Sequence, residues 1–487
     1  MDKYKILHPA LDIKDNILVI GFNKRTFNQE DKKMQKENHY LVVEQSSDKS
    51  LKTHIIKENT FTSNTGQNYA FDSNSEGKQR RLINIDDRWS NELLEKLNND
   101  IKYKNINPNN VGKFNKIENQ LRAYVFLERD EDYKLVTSWI MMTYLFPIFP
   151  ALPYLHFKAP KSSGKSTALT FIKLLAFNAN KSNASIPAMR DIIDNTRGTF
   201  IIDQADNKLG SKADNVMKDI LTDAYKASSG KVSKQVVINK DYQPVEFDAY
   251  SPKALGSHRD LHPDLSDRCI QIPMFKSPIN VMYLDEDKPI WLEIRDDLYR
   301  FLVNNFSKAK ETYNDLVMKY QEDKTLVGRP LELWLPLEVV MRFCNLDDAC
   351  IESTKSRFID QFSSVEYFIS ETEREVIEII LNKFDIDDIS IVITNKEIAE
   401  QMPFSEDKED ADYMTSKNVA IYIGHIIKRL NIATKIDHQR DGKHYLVFKD
   451  RVLMIAKGYD MQIPEHLIKP ITSVDVTAIL DASKESF

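Results

Sequence analysis

The stretch Pro153-Tyr-Leu-His-Phe-Lys-Ala-Pro-Lys-Ser-Ser-Gly-Lys-Ser-Thr167 decides how the rest of this chain is read. Tyr154 to Phe157 has the apolar character of a short buried strand, and the apolar run Ala168 to Phe177 that of a helix following it. The loop between them runs into Gly164-Lys165-Ser166, so backbone N–H groups and a helix N-terminus converge on one point, an arrangement that attracts phosphate. The expected cradle is Ala159, Pro160, Lys161, Ser162, Ser163, Gly164, Lys165, Ser166 and Thr167, with Lys165 reaching the β/γ-phosphates of a nucleoside triphosphate and the Ser166 hydroxyl holding Mg²⁺. The pattern G-x-x-x-x-G-K-[ST] departs at its first position, where Ala159 stands for Gly; a small residue beside Pro160 still permits the turn. The plain alternative is a chance Gly-Lys-Ser at a helix start.

A chain of 487 residues predicts two to four domains. Hydrophobic residues at 42% and charged residues at 29% are those of an ordinary globular protein. The net charge of −6 argues against a basic coat over the whole surface, yet from Ala151 to Lys276 there are 18 Lys and Arg against 13 Asp and Glu, a local basic surplus. Cys269, Cys344 and Cys350 form no ligand cluster, which argues against zinc or a disulfide framework and for reduced thiols in a cytoplasmic protein. The opening residues lack the apolar segment of a signal peptide. The most membrane-like run, Trp139 to Phe157, is broken by Pro147, Pro150 and Pro153 and feeds the phosphate loop, so it predicts a core helix ending near Phe146 and then the buried strand, with no membrane partner.

Residues 1 to about 80 alternate short apolar runs, such as Ile17 to Phe22 and Tyr40 to Glu44, with polar stretches, which predicts a small β-rich module. From Ile83 to Phe146 the pattern turns helical and predicts a scaffold. Past the phosphate-loop helix, Thr199 to Asp206 is an apolar strand ending in an acid; at the carboxyl end of a parallel sheet, Asp203 would share Mg²⁺ with Ser166. Gln204 follows it, and an amide orients water without accepting its proton, so slow hydrolysis is expected unless Asp206 or another carboxylate substitutes. Two β-type runs about Asn239-Lys-Asp241 predict a hairpin carrying Lys231, Lys234 and Lys240, suited to a nucleic-acid backbone or to plain solvent. Ser251 to His258 predicts another buried strand, whose Ser257, ahead of His258, would face a γ-phosphate. Arg268 precedes a further strand, placed to stabilise charge on a neighbouring copy's nucleotide or else to pair with Asp264 or Asp267.

In this order the segments resemble an AAA+ ATPase core, and specifically the MCM-like replicative helicases of Gram-positive mobile elements such as staphylococcal chromosome cassettes and pathogenicity islands. The matching residues are Ala159 to Thr167 (Walker A), Ile201 to Asp206 (Walker B), Lys231 to Tyr250 (the hairpin before sensor 1), Ser251 to His258 (sensor 1) and Leu265 to Arg268 (arginine finger), covering about Asp130 to Val340. Gly328 to Pro336 resembles the lid, which would make Arg329 the sensor 2 arginine. The resemblance implies ATP and Mg²⁺ as cofactors, a homohexameric ring and DNA in its pore.

Beyond the lid, helices at Ser370 to Phe384, Thr394 to Gln401 and Ser416 to Leu430, then a hairpin about Asp441-Gly442, follow the winged-helix order. Lys428 on the third helix and Arg440 and Lys443 on the wing are candidate DNA contacts. The expected division is 1–110 for the β-rich module with its helical connection, 111–280 for the AAA+ core with a lead-in over 111–150, 281–368 for the lid, 369–458 for the winged helix and 459–487 for a tail. Three functions fit: a helicase moving on single-stranded or forked DNA with replication partners, an initiator or loader that uses ATP as a switch at an origin, and a platform that has lost hydrolysis.

Overall fold

The computed structural model describes residues 4–28, 32–73, 80, 82, 91–102, 109–159, 163–181, 186–205, 215–238, 241–258, 261–277, 280–363, 371–402, 420, 422–424, 426–427, 432–439, 442–458 and 461–467. The chain forms two compact units, Met1–Phe362 and Ser363–Phe487.

The first unit opens with strands β1 (Lys5–Leu7), β2 (Leu11–Lys14), β3 (Ile17–Asn28), β4 (Lys33–Gln45), β5 (Leu51–Ile56), β6 (Thr60–Thr62) and β7 (Asn68–Phe71). β2 to β5 form an antiparallel meander, and β1, β7 and β6 a second sheet. The turn between β2 and β3 uses two left-handed residues, Asp15 (φ 52°) and Asn16 (φ 61°), with Lys14 paired to Ile17, the twist that suits a tight hairpin. Helix α1 (Asn91–Lys102) packs on β5. Helix α2 (Asn110–Tyr124) starts where the Asn109 side chain accepts the Gly112 N–H at 2.9 Å. Helix α3 (Asp130–Leu145) is buried on nearly every face, with the Trp139 indole donating to Pro153 O at 2.8 Å. It ends one residue short of the expected Phe146, and among the described residues no helix is long and apolar enough to cross a membrane.

Next come β8 (Tyr154–Lys158), α4 (Lys165–Leu175), β9 (Asn180–Lys181), α5 (Ile186–Thr196), β10 (Phe200–Ile202) and α6 (Asn215–Asp223). They are followed by the hairpin β11 (Lys231–Ile238) and β12 (Asp241–Asp248), then β13 (Lys253–Ser257), α7 (Pro263–Ser266) and β14 (Cys269–Pro273). One parallel sheet has the order β14-β8-β13-β10-β9. From β8 the chain crosses to the far edge and returns, so the strand order reverses about β8 and opens a crevice outside the carboxyl ends. The hairpin is antiparallel and joins Ile238 to Asp241 across two residues, as its sequence predicts. Helices α8 (Ile290–Asp323), α9 (Gly328–Phe343) and α10 (Asp348–Ser363) complete the unit; α8 packs on α3 and α4, burying Trp291 and Leu298.

The second unit has its own core around Val376, Ile380, Ile398 and Val447. Helix α11 (Glu371–Asn382) leads to β15 (Ser390–Thr394) and α12 (Asn395–Gln401). The Thr394 side chain accepts the Glu397 N–H, and the Glu397 carboxylate accepts the Thr394 N–H, the reciprocal cap its sequence predicts. Strands β16 (Ala433–Gln439) and β17 (Gly442–Phe448) pair antiparallel, and helix α13 (Lys449–Gly458) follows. β15 joins β17 as an unforeseen third strand. Most of the third helix expected over Ser416 to Leu430 lies outside the described residues; 420, 422–424 and 426–427 are helical.

Candidate functional site

The carboxyl end of β8 leads into the expected phosphate loop, of which Pro160, Lys161 and Ser162 lie outside the described residues. Ala159 is buried, donates its N–H to Ser257 O at 3.1 Å and needs no left-handed backbone, so a methyl group is accommodated where the motif has Gly. Gly164 is left-handed (φ 82°) and forms the N-cap of α4, a conformation that favours glycine at the loop-to-helix junction. Lys165 lies against β13. A Cβ on Gly256 would meet Leu169 Cδ1 at 2.7 Å and Lys165 Cδ at 3.2 Å, so the missing side chain lets the lysine stem approach the strand.

Asp203 stands just past β10, with Oδ2 3.5 Å from Ser166 Oγ. It also meets Lys181 Nζ at 3.3 Å, and its Oδ1 accepts the Gln204 N–H at 3.0 Å. Lys181, on the neighbouring strand β9, joins the candidate site and was not foreseen, because a two-residue strand carries no periodic signal. Its ammonium supplies positive charge beside the carboxylate and hydroxyl, a pair of hard oxygens that fits Mg²⁺. Among the described residues no group of three or more His, Cys, Asp or Glu is arranged around a metal, so a Mg²⁺ at Ser166 and Asp203 would take its remaining ligands from phosphate and water. Gln204 is exposed and left-handed (φ 57°), and Asp206 lies outside the described residues.

At the end of β13, Ser257 and His258 take different surroundings. Ser257 is fully buried, with its hydroxyl 2.7 Å from His156 Nε2 inside the sheet. His258 Nδ1 donates to Ala159 O at 3.0 Å, and both its ring nitrogens stand 3.4 Å from Lys165 Nζ. The strand's alternation buries one residue and turns the next to the loop.

Arg268 and Arg329 meet elsewhere. Arg268 immediately precedes β14, and its carbonyl accepts the Tyr154 N–H at 2.9 Å, at the amino end of β8. Its guanidinium donates to Asp264 O and lies over the Tyr225 ring at 4.9 Å. Arg329, in the first turn of α9, pairs with Asp267 and lies 5.8 Å from the same ring. Tyr225 therefore carries both arginines, at the opposite end of the sheet from Lys165. Nothing in the composition of Tyr225-Lys-Ala announces this; it appears once α6 folds against β8 and Leu152 donates its N–H to Tyr225 O.

On the hairpin, Lys231 pairs with Glu246 across the strands at 3.2 Å in an exposed ion pair. The backbone of Lys234 pairs with Val245, while its side chain and the whole of Lys240 lie outside the described residues. The hairpin root is held firmly. The Asp248 N–H donates to Asp194 Oδ1 at 2.8 Å, the buried Arg80 guanidinium donates to Asp194 O at 2.6 Å, and His8 meets the same carbonyl at 2.9 Å. Burial and the cations Arg197 and Arg80 hold the His8 ring well below its usual pKa. In the second unit Lys428 and Arg440 lie outside the described residues, as does the side chain of Lys443.

No family model matches this sequence, and no curated protein does. Solved structures matched by this chain include a full-length MCM homolog from Methanopyrus kandleri, at 10% identity and a TM-score of 0.32, covering 70% of this chain and 76% of that one. They also include the JCV helicase bound to a thiazolopyridine acetamide, at 14% identity and a TM-score of 0.19, covering 58% of this chain and 77% of that one.

Proposed function

We propose that this chain is a ring-forming AAA+ ATPase of the MCM-like kind, which couples ATP hydrolysis to movement along single-stranded DNA in the replication of a mobile element. A separation carries the reading. Lys165, Ser166 and Asp203 gather at the carboxyl end of the parallel sheet, while Arg268 and Arg329 gather on Tyr225 at its amino end, with the length of β8 between them. Both guanidiniums are engaged at the far end of the sheet from their own chain's Lys165. A complete site then requires a second copy, and a contact between two different faces, repeated with closure, builds a ring.

Within such a site Lys165 neutralises the β/γ-phosphates, and His258 beside it offers a polar contact to the terminal phosphate. Mg²⁺, when held by Ser166 and Asp203, withdraws charge from the phosphates. Arg268 and Arg329 of the adjoining copy meet the charge developing on the γ-phosphoryl group, an interaction worth roughly 10³–10⁵ in rate where such fingers are measured. The β11–β12 hairpin with Lys231, Lys234 and Lys240 is the proposed DNA contact. The second unit, read as a winged helix, adds backbone contacts through Lys428, Arg440 and Lys443. The working location is the cytoplasm, with other replication proteins as partners.

One observation favours a second reading. Gln204, beside Asp203, has no carboxylate to take a proton from water, which suits an initiator or loader that binds ATP as a switch. Strand displacement from a forked duplex, compared between this sequence and Gln204→Glu, separates the two. Unwinding gained or accelerated in the Glu form supports the helicase. ATPase activity without unwinding in both forms supports the switch, and inactivity of both leaves a nucleotide-binding platform.

A further inference from the structure

A cavity of about 490 Å³ opens beside the first turn of α4. Ser166, Thr167 and Thr170 form one wall, and Tyr124, Met282 and Tyr283 face them. The proposed phosphate site begins at the same turn, so a nucleotide whose phosphates lie on Gly164 and Lys165 would direct its nucleoside here.

The facing wall is exposed yet firmly built. Met282 is 53% exposed and Tyr283 87%, an apolar run left open to solvent. Its backbone is pinned, because the Met282 N–H donates to Ala123 O at 2.9 Å and the Trp291 indole donates to Asp285 O at 2.7 Å. Behind it Trp291 is buried against Tyr124 and Phe171, at ring separations of 5.5 and 5.8 Å. Two polar side chains along this wall have partners. The Tyr124 hydroxyl accepts from Lys288 at 3.2 Å, and the Glu286 carboxylate is held by Lys173 at 3.0 Å. Thr167 and Thr170 offer hydroxyls from the helix side alone. The rest of the facing wall is apolar or aromatic, formed by Val281, Met282, Tyr283 and Leu284.

We infer that this cavity seats the nucleobase of the triphosphate by stacking on Tyr283 and contact with Met282, and that it discriminates weakly among bases. The inference rests on the nucleotide reading of the phosphate loop and adds to it the recognition of the base. A planar base offers a π-face whatever its edge carries, so stacking tolerates a change of base. A site built to hydrogen-bond an edge rejects the wrong partner by 10⁴–10⁵, and a site without such groups does not.

The test is equilibrium binding to the full chain of ATP, GTP, UTP, CTP and inorganic tripolyphosphate, the last having no base. ATP and GTP should bind within about tenfold of each other and both more tightly than tripolyphosphate. Tyr283→Ala should weaken both purine nucleotides about tenfold and leave tripolyphosphate unchanged, with Tyr283→Phe retaining most of the affinity. Tyr283 is almost wholly exposed, so loss of fold does not confound the comparison. If tripolyphosphate binds but ATP binds no more tightly, or if Tyr283→Ala alters subunit assembly without altering ATP affinity, the base seat is overturned while the phosphate site stands. An ATP preference over GTP beyond about a thousandfold overturns base tolerance. Failure of both ATP and tripolyphosphate to bind overturns the phosphate-loop reading and this inference with it.

Discussion

Gly256 is a small residue on which the proposed site depends. Gly256→Ala would drive a methyl group into Leu169 and the Lys165 stem, and overpacking of this kind destabilises by about 1–3 kcal/mol. We expect a lower melting temperature together with weaker ATP binding, read by calorimetry on one preparation. His258→Ala should slow hydrolysis with little effect on stability, whereas Ser257→Ala, which strips a buried partner from His156, should lower stability by about 1–3 kcal/mol. Lys253 gives a pH signature. Its buried amine donates to Ala249 O and Ser251 O, and burial pushes its pKa from 10.5 down to about 7. Between those values the unfolded chain holds a proton the folded chain lacks, so stability rises with pH across the window and the gain is lost as pH falls through 7. Lys253→Met should remove a slope of at most about 1.4 kcal/mol per pH unit, read from urea midpoints across that window. At this scale the acid and the lysine of the proposed site were legible, because Asp203 ends an apolar strand and Lys165 opens a helix. Lys181 and the placements of Ser257 and His258 were not, since they depend on which strands become neighbours and which face each residue takes.

Elements carry the two arginines and the hairpin. The Tyr225 ring at the end of α6 supports Arg268 and Arg329 together, and such cation–π contacts contribute about 0.5–2 kcal/mol each. Tyr225→Ala should therefore reduce ATP turnover about tenfold or more while ATP affinity holds, and Tyr225→Phe, which keeps the ring, should retain turnover. The root of the β11–β12 hairpin is clamped by Asp194, whose buried carboxylate serves both Arg80 and the Asp248 N–H. Asp194→Ala leaves the Arg80 guanidinium short of a buried partner, a loss of about 3–5 kcal/mol, measurable as a fall in urea midpoint. The hairpin, α3, β8 and α12 were legible because each has a local signature: a two-residue turn, a proline-limited apolar run, an apolar strand before glycine, and a capping box. β15 was not, because Ser390 to Thr394 is a short stretch whose pairing with β17 is non-local.

At the scale of the whole molecule, the parallel sheet keeps the proposed phosphate loop and the arginines at opposite ends, and this separation leads to the proposal of a ring. The β-rich strands and the sheet could be foreseen from apolar alternation, but the order β14-β8-β13-β10-β9 is a property of the folded chain. The decisive measurement is ATPase activity of mixed subunits, made in the Gln204→Glu background so that turnover is visible. Lys165→Ala and Arg268→Ala proteins should each be inactive alone. Mixed in equal amounts, they should form competent sites at roughly a quarter of the interfaces, where an intact Lys165 meets a neighbour's intact Arg268, and activity should return. Activity of Arg268→Ala alone equal to that of the parent, or no recovery on mixing subunits shown to co-assemble, would contradict a triphosphate held between two copies of this chain.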